Sequence, residues 1–570
     1  MATRNPLNVF KGPDALHRYF QPDENPPLPL VELPDALNPL RKDGVRIFAK
    51  MLTALPAQNV KSLPALEMLL NSDKARTSSI VEASSGSTVL SLGMISRALW
   101  GHEDVYAYVT NKKPADSLRL MRFFGLNVSL YGGLAQQEPS DPKGIMNRLR
   151  RLAGEDPNVC YLGQYDNNSN WRSHEKWTGK QIWEQLPEVN VLCSTVGTGG
   201  CITGTGLYLK QQKPSVKVIG VCNVFGDPTP GPRHFPGFES SPFPWRQVID
   251  AFETVQSVDS FRMSMKLSRH GIIAGPSSGE ALHGLLTHLE SFKAQGRLSE
   301  LADPVTGEIN CVFLCADLPY QYMDMYYKKL GEDEFPPIHN DCLLSVDQDP
   351  YEERWFLSPS QASDLIASSL PNPSFTSTSA CIVPSSCTCN SPDLESPPSF
   401  FTDDPKDVAM STTSSPSTSS ESIIFSPTPS ESSSYSAATT PSPLPEIPLK
   451  IIDLRPRELY EQGHLDGAQN LDLPLTKSDF YGDAEAVQDR WIQLRDAFGR
   501  EGMLEEYQGN MGKGKVLVVC EDGDSGCMST ALLRKKGWEA FCVLGGWRGM
   551  LEEGFVSAEG EVRHSDEYMR

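Results

Sequence analysis

Three stretches of this chain bring together residue types that can do chemistry. Lys61 stands at the head of an apolar run, residues 63–70, whose Pro64 suits the first turn of a helix. A lysine there has its ammonium disfavoured by the helix dipole, which favours a neutral, nucleophilic amine; a solvated surface lysine is the plain alternative. The second stretch, Gly197-Thr198-Gly199-Gly200-Cys201, follows an apolar strand at 188–193 and leads into a helix predicted to start near Leu207. Strand, glycine loop and helix form the geometry in which backbone amides and a helix N-terminus hold a phosphate, although glycines alone also make ordinary tight turns. The third stretch is Ser84-Ser85-Gly86-Ser87-Thr88, a hydroxyl-rich loop between a strand at 79–83 and a helix at 89–99. It is sized for a carboxylate, or for simple helix capping. Far along the chain, Cys520 ends the apolar strand 515–519 and precedes a loop and a helix, 527–534. That arrangement stabilises a thiolate or persulfide anion, where a buried inert thiol is the bland reading.

The elements that must position these groups alternate. Strands are predicted at 44–50, with Asp43-Gly44 as its turn, and at 79–83, 105–109, 127–131, 188–193, 216–221, 271–274 and 309–317, with helices between several of them. Such alternation means an α/β domain with a largely parallel sheet, whose sites lie beyond the strand C-termini. At 570 residues the chain is too long for one ordinary core. The expected division is a first domain at 1–345, a Ser/Thr/Pro-rich disordered linker at 346–447 and a second domain at 448–570. The linker lacks the apolar surface needed to order itself, and its Cys387 and Cys389 are read as an unstructured thiol pair.

A formal net charge of −21 argues against nucleic acid or an anionic membrane as the main partner. No stretch is apolar enough to span a bilayer and no secretory signal is visible. Thirteen scattered cysteines fit a reducing compartment, so a cytoplasmic location is expected, with a mitochondrial one left open.

From about residue 27 to 325 the chain resembles the fold-type II pyridoxal-phosphate enzymes of the cysteine synthase and cystathionine β-synthase group, which share a tryptophan synthase β-like, two-subdomain α/β fold. Lys50 and Lys61 match the family's strand lysine and cofactor-bearing lysine. The resemblance implies pyridoxal 5′-phosphate on Lys61, its phosphate held by Gly197, Thr198, Gly199, Gly200 and Cys201, and its pyridine nitrogen met by Ser277. It implies a substrate carboxylate on Ser84, Ser85, Gly86, Thr88 and Gln164. Ser87 stands where the family usually has an asparagine near the cofactor's phenolic oxygen, and Ser62-Leu63 replaces a usual Asp-Arg. The implied activity is β-replacement on an O-acetylserine-type amino acid by sulfide or a thiol, in a homodimer. Two alternatives are a cysteine desulfhydrase and a catalytically silent scaffold or sulfur-relay protein.

The second domain resembles a rhodanese module through Asp453-Leu454-Arg455, Gly463-His464, the Cys520 loop and Gly545-Gly546-Trp547. This implies a sulfur carrier with catalytic Cys520. Glu521, Asp522 and Asp524 surround that cysteine with negative charge, so a raised pKa and poor use of thiosulfate are expected.

Overall fold

The computed structural model describes residues 5–84, 86–133, 138–369, 449–477, 479–499, 508–509 and 512–556. Ser85, Cys387 and Cys389 lie outside them. The chain divides into two compact units, Met1–Pro337 and Ile338–Arg570.

The first unit contains two sheets, one wholly and one mostly parallel. Its strands are β1 Leu30–Glu32, β2 Val45–Met51, β3 Ser79–Ala83, β4 Val105–Thr110, β5 Asn127–Tyr131, β6 Val159–Tyr161, β7 Val191–Thr195, β8 Lys217–Asn223, β9 Ala251–Val255 and β10 Ile309–Cys315. The larger sheet has the order β1-β2-β10-β7-β8-β9, in which only β1 runs antiparallel. The smaller sheet, β5-β4-β3-β6, is entirely parallel. Every residue of β10 is buried, as a strand covered on both faces requires. The apolar faces of β2, β7, β8 and β10 form one core with Ala281, Leu282, Leu285 and Leu289 of helix Pro276–Ala294.

Two predicted boundaries shift. The helix after the glycine loop starts at Gly200, not near Leu207, so the loop is itself the helix N-terminus. Residues 271–274 form no strand. The backbone there is satisfied by the preceding helix, Ser257–Arg269: Ile272 N donates to Leu267 O, and Ala274 O accepts from Ser264 Oγ at 2.6 Å.

The second unit is built on a five-stranded parallel sheet, order β11-β17-β16-β12-β13, from β11 Phe356–Leu357, β12 Leu449–Asp453, β13 Gln469–Asn470, β16 Lys515–Val519 and β17 Glu539–Val543. A separate hairpin pairs β14 Gln508–Gly509 with β15 Gly512–Lys513. Residues 338–369 belong to this unit, which moves the expected boundary at 345 and the expected linker start at 346. Trp355, Ala362 and Ile366 are buried, and helix Pro359–Ser369 follows β11. The apolar residues there are too widely spaced to stand out from the Ser/Pro-rich sequence that follows.

Candidate functional site

The C-terminal ends of β3, β7 and β10 open onto one cavity of about 780 Å³ in the first unit. Lys61, Ser84, Gly86, Ser87, Thr88, Gln164, Gly197, Thr198, Gly199, Cys201 and Ser277 all line it. Gly200 is buried just behind, in the first turn of helix Gly200–Gln212. One wall therefore gathers residues that lie more than two hundred positions apart in sequence.

Lys61 is the N-cap of helix Ser62–Leu70, with Pro64 in the first turn as expected. Its backbone is pinned by neighbours. Lys61 N donates to Asn59 Oδ1 at 2.9 Å, Ser91 Oγ donates to the same oxygen at 3.0 Å, and Val60 N donates to Ala316 O at 2.6 Å. Burial holds the Lys61 amine below the usual lysine range; the nearby Cys201 and Asp317 act against that shift. Burial likewise pushes Cys201 up to about 12, so it is a neutral thiol. His174, fully buried behind the site, is lowered to about 3 by burial and by the Lys61 charge, and is a neutral imidazole. A lysine held below its ordinary range gives up its proton more readily, and the amine so formed is a nucleophile and a base.

The glycine loop is shaped by close approach. Gly199 has φ +84, and a Cβ there would overlap the Phe238 ring. A Cβ on Gly197 would meet Gly231 O at 2.7 Å, and one on Gly200 would strike the Asn170 carboxamide. Asn170 Nδ2 donates to Gln164 O at 2.6 Å and to Thr198 Oγ1 at 3.0 Å, tying this loop to the residue expected at the substrate carboxylate. Thr88 Oγ1 donates to Gln164 Oε1 at 2.7 Å, and Gln164 Nε2 donates to Ala83 O at 3.2 Å, which fixes the amide's orientation.

Pyridoxal phosphate is tested by this geometry, and the residues fit it. A cradle without room for side chains faces the same cavity as a desolvated lysine, and helix Gly200–Gln212 points its positive end into the loop. Ser277 sits in the first turn of helix Pro276–Ala294, on the cavity wall near Gly231.

Several cavity residues carry no mark in the sequence reading. Asp317 follows β10 and accepts from Tyr322 Oη at 2.6 Å and Gln321 Nε2 at 3.1 Å, while its Oδ1 is buried without a hydrogen bond. Burial raises it to about 6. An acidic residue ending a buried parallel strand is a signal that sequence alone can supply. Arg233 is buried beside Tyr165, donating to its hydroxyl at 3.0 Å with the guanidinium 4.8 Å from the ring centroid. Only the folding of the 227–233 turn brings it there, so the sequence offers no pointer to it.

In the second unit, Cys520 directly follows β16 and is buried. Its Sγ accepts from Gly523 N at 3.2 Å, and Gly526 N also points to it. The thiol is nevertheless raised to about 12, chiefly by burial, with Asp522 adding to it and the two amides opposing. The expected direction stands, but desolvation rather than the carboxylates leads. Asp453 and Arg455 form a buried pair at 2.7 Å, Arg455 also donates to Gly463 O at 2.7 Å, and its guanidinium lies 3.9 Å from the Trp547 ring centroid. Trp547 N donates to Cys520 O at 2.7 Å, so these separated motifs brace one loop.

Comparison with known proteins agrees with both halves. Residues 23–300 match the model of the pyridoxal-phosphate dependent enzymes, and residues 440–553 match that of the rhodanese-like domain. The chain is 31% identical to a cysteine synthase of Aquifex aeolicus over 264 residues, 45% of this chain and 78% of that protein. It is 28% identical to cysteine synthase B of Campylobacter jejuni over 278 residues, 46% and 90% of the two chains. It is also 28% identical to an N-(2-amino-2-carboxyethyl)-L-glutamate synthase of Ralstonia nicotianae over 299 residues, 49% and 82%. With a glycine cradle, a desolvated lysine and these relatives in agreement, the chain belongs to the pyridoxal-phosphate-dependent enzymes of the cysteine synthase family and carries a rhodanese-like domain behind that catalytic half.

Proposed function

We propose that the first unit replaces the β-substituent of an O-acetylserine-type amino acid with sulfide or a thiol, and that Cys520 of the second unit carries sulfane sulfur. The observation that carries this reading is the shared cavity, in which Lys61 faces both the glycine cradle and the Ser84–Gln164 wall. When bound, the cofactor supplies an electron sink that lets the Cα proton and then the β-substituent leave. Lys61 anchors it and, as a free amine, takes and returns the proton at Cα. Ser84, Thr88 and Gln164 hold the substrate carboxylate and so present Cα to that amine. Arg233, hydrogen-bonded to Tyr165 and 3.9 Å from the Glu138 carboxylate, gives that cavity a polar wall. The ten free cysteines of the described residues suit a reducing compartment such as the cytoplasm, and a homodimer is the assembly proposed.

Replacing Lys61 with alanine is expected to abolish the visible absorbance of bound cofactor and to lower turnover by roughly 10²–10⁴-fold. Sulfide consumption with O-acetylserine is expected to outpace sulfide release from cysteine alone. The reverse order, measured on the same preparation, would make the chain a desulfhydrase instead.

A further inference from the structure

The second unit gathers three thiols, of which a sulfur carrier needs one. Cys520 directly follows β16, Cys527 lies in helix Asp524–Lys535 and Cys542 lies on β17. Gly526 adjoins Cys527 in sequence and the other two in space. A Cβ built there would stand 3.4 Å from Cys520 Sγ, 3.8 Å from Cys542 Sγ and 3.1 Å from Cys542 Cβ. The Cys527 thiol lies close enough to that of Cys542 for each to perturb the other's ionisation, and the Tyr481 hydroxyl donates to Asp524 O at the start of the same helix. Cys527 Sγ also lies 3.4 Å from Gly523 O, on the same residue whose amide donates to Cys520. All three are free, and Cys527 is the partly exposed one. The contact with Cys542 lowers the Cys527 thiol and raises that of Cys542, so Cys527 is the member disposed to ionise. The missing side chain at Gly526 is what lets the Cys520 and Cys542 sulfurs approach the residue next to Cys527.

We propose that Cys527 and Cys542 are a resolving pair that discharges sulfane sulfur from Cys520 as hydrogen sulfide. The proposal rests on the reading of Cys520 as a sulfur carrier. In the first step the Cys527 thiolate attacks the outer sulfur of the Cys520 persulfide. The bond between that sulfur and Cys520 Sγ breaks, and its electron pair stays on Cys520, which takes up the proton given by Cys527. In the second step Cys542 Sγ attacks Cys527 Sγ, the bond to the transferred sulfur breaks, and that sulfur leaves with the Cys542 proton as H₂S. Two thiols are oxidised to the Cys527–Cys542 disulfide and one sulfane sulfur is reduced to sulfide, with no outside oxidant. A thiol reductant resets the pair. The product is the nucleophile proposed for the first unit.

The test uses the full chain, loaded with inorganic polysulfide under anaerobic conditions, freed of excess reagent and followed for sulfide release and by peptide mass mapping. Wild type is expected to release roughly one sulfide per loaded chain as a Cys527–Cys542 cross-link appears. Cys527→Ser should keep the added sulfur on Cys520 and release sulfide at least about tenfold more slowly. Cys542→Ser should hold it as a persulfide on Cys527. Release at the wild-type rate from Cys527→Ser, or release with a Cys520–Cys527 cross-link instead, would overturn the resolving pair. Cys520→Ser tests the carrier reading separately, because that reading fails if this variant loads as fully as wild type. The cross-link in unmodified protein decides the matter even where a serine variant does not fold.

Discussion

At the scale of single residues, the site depends on side chains that hold other side chains. Gln164 is aimed by Thr88 on one side and by Ala83 O on the other. Removing the hydroxyl leaves the Gln164 carbonyl without its donor and lets the amide turn. Thr88→Val is therefore expected to raise the KM for the amino-acid substrate by about threefold to tenfold, with a smaller change in kcat, in steady-state kinetics. The residues that could be found from sequence are those with a local spacing signal: Lys61 before Pro64, the glycine run, and Cys520 at the end of an apolar strand. Arg233 and Asn170 are not of that kind. Arg233 acts through Tyr165, and Asn170 joins Gln164 to the more distant Thr198; neither type nor spacing announces such partners.

At the scale of elements, the glycine loop is the least forgiving part of the first unit. Gly199 occupies the left-handed region and lies against Phe238, so a side chain there meets both backbone strain and a collision. Gly199→Ala is expected to cost on the order of 2–5 kcal/mol and to weaken cofactor retention, read as a lower thermal midpoint and a lower cofactor content after dialysis. Element types were legible where apolar runs were long and buried, as in β7 and β10. Two errors have a common cause. The hydroxyls and small residues after Gly199 resemble a loop in composition but take helical dihedrals from Gly200, and the apolar run 271–274 resembles a strand but finds its partners in the adjacent helix. Local pattern describes what a segment can bury; neighbours decide what it pairs with. The same holds for residues 356–369, a short strand and helix that exist because the second sheet receives them.

At the scale of the whole molecule, buried ionisable groups set how stability follows pH. Glu82 is fully buried on β3, accepts from Gly163 N at 3.0 Å and is raised by burial to about 8. The folded state thus keeps a proton that the unfolded chain gives up above its ordinary value, so this group's contribution falls as pH rises from about 4.5 to about 8. Lys50 works in the other direction. It is fully buried on β2, donates to Leu28 O, Gln181 Oε1 and Gln185 Oε1, and is lowered to about 7, so its contribution rises with pH from there toward the usual lysine range. Three acceptors match the three hydrogens of an ammonium, which explains how a buried lysine is tolerated. Glu82→Gln is expected to flatten the fall in thermal midpoint between about pH 5 and about pH 7, a window below the Lys50 titration, by an amount worth on the order of a few kcal/mol.

The place of β11 in the second sheet has a consequence for how this protein can be divided. Its two residues hydrogen-bond along β17 and form the edge of the sheet on that side, while the next strand of the same sheet begins only at Leu449. The long Ser/Thr/Pro-rich stretch therefore interrupts a folding unit instead of separating two of them. A fragment begun at residue 440, where the rhodanese-like match starts, would leave one side of that sheet with unsatisfied amides and carbonyls, inviting another chain to bind in the place its own residues 356–357 occupy.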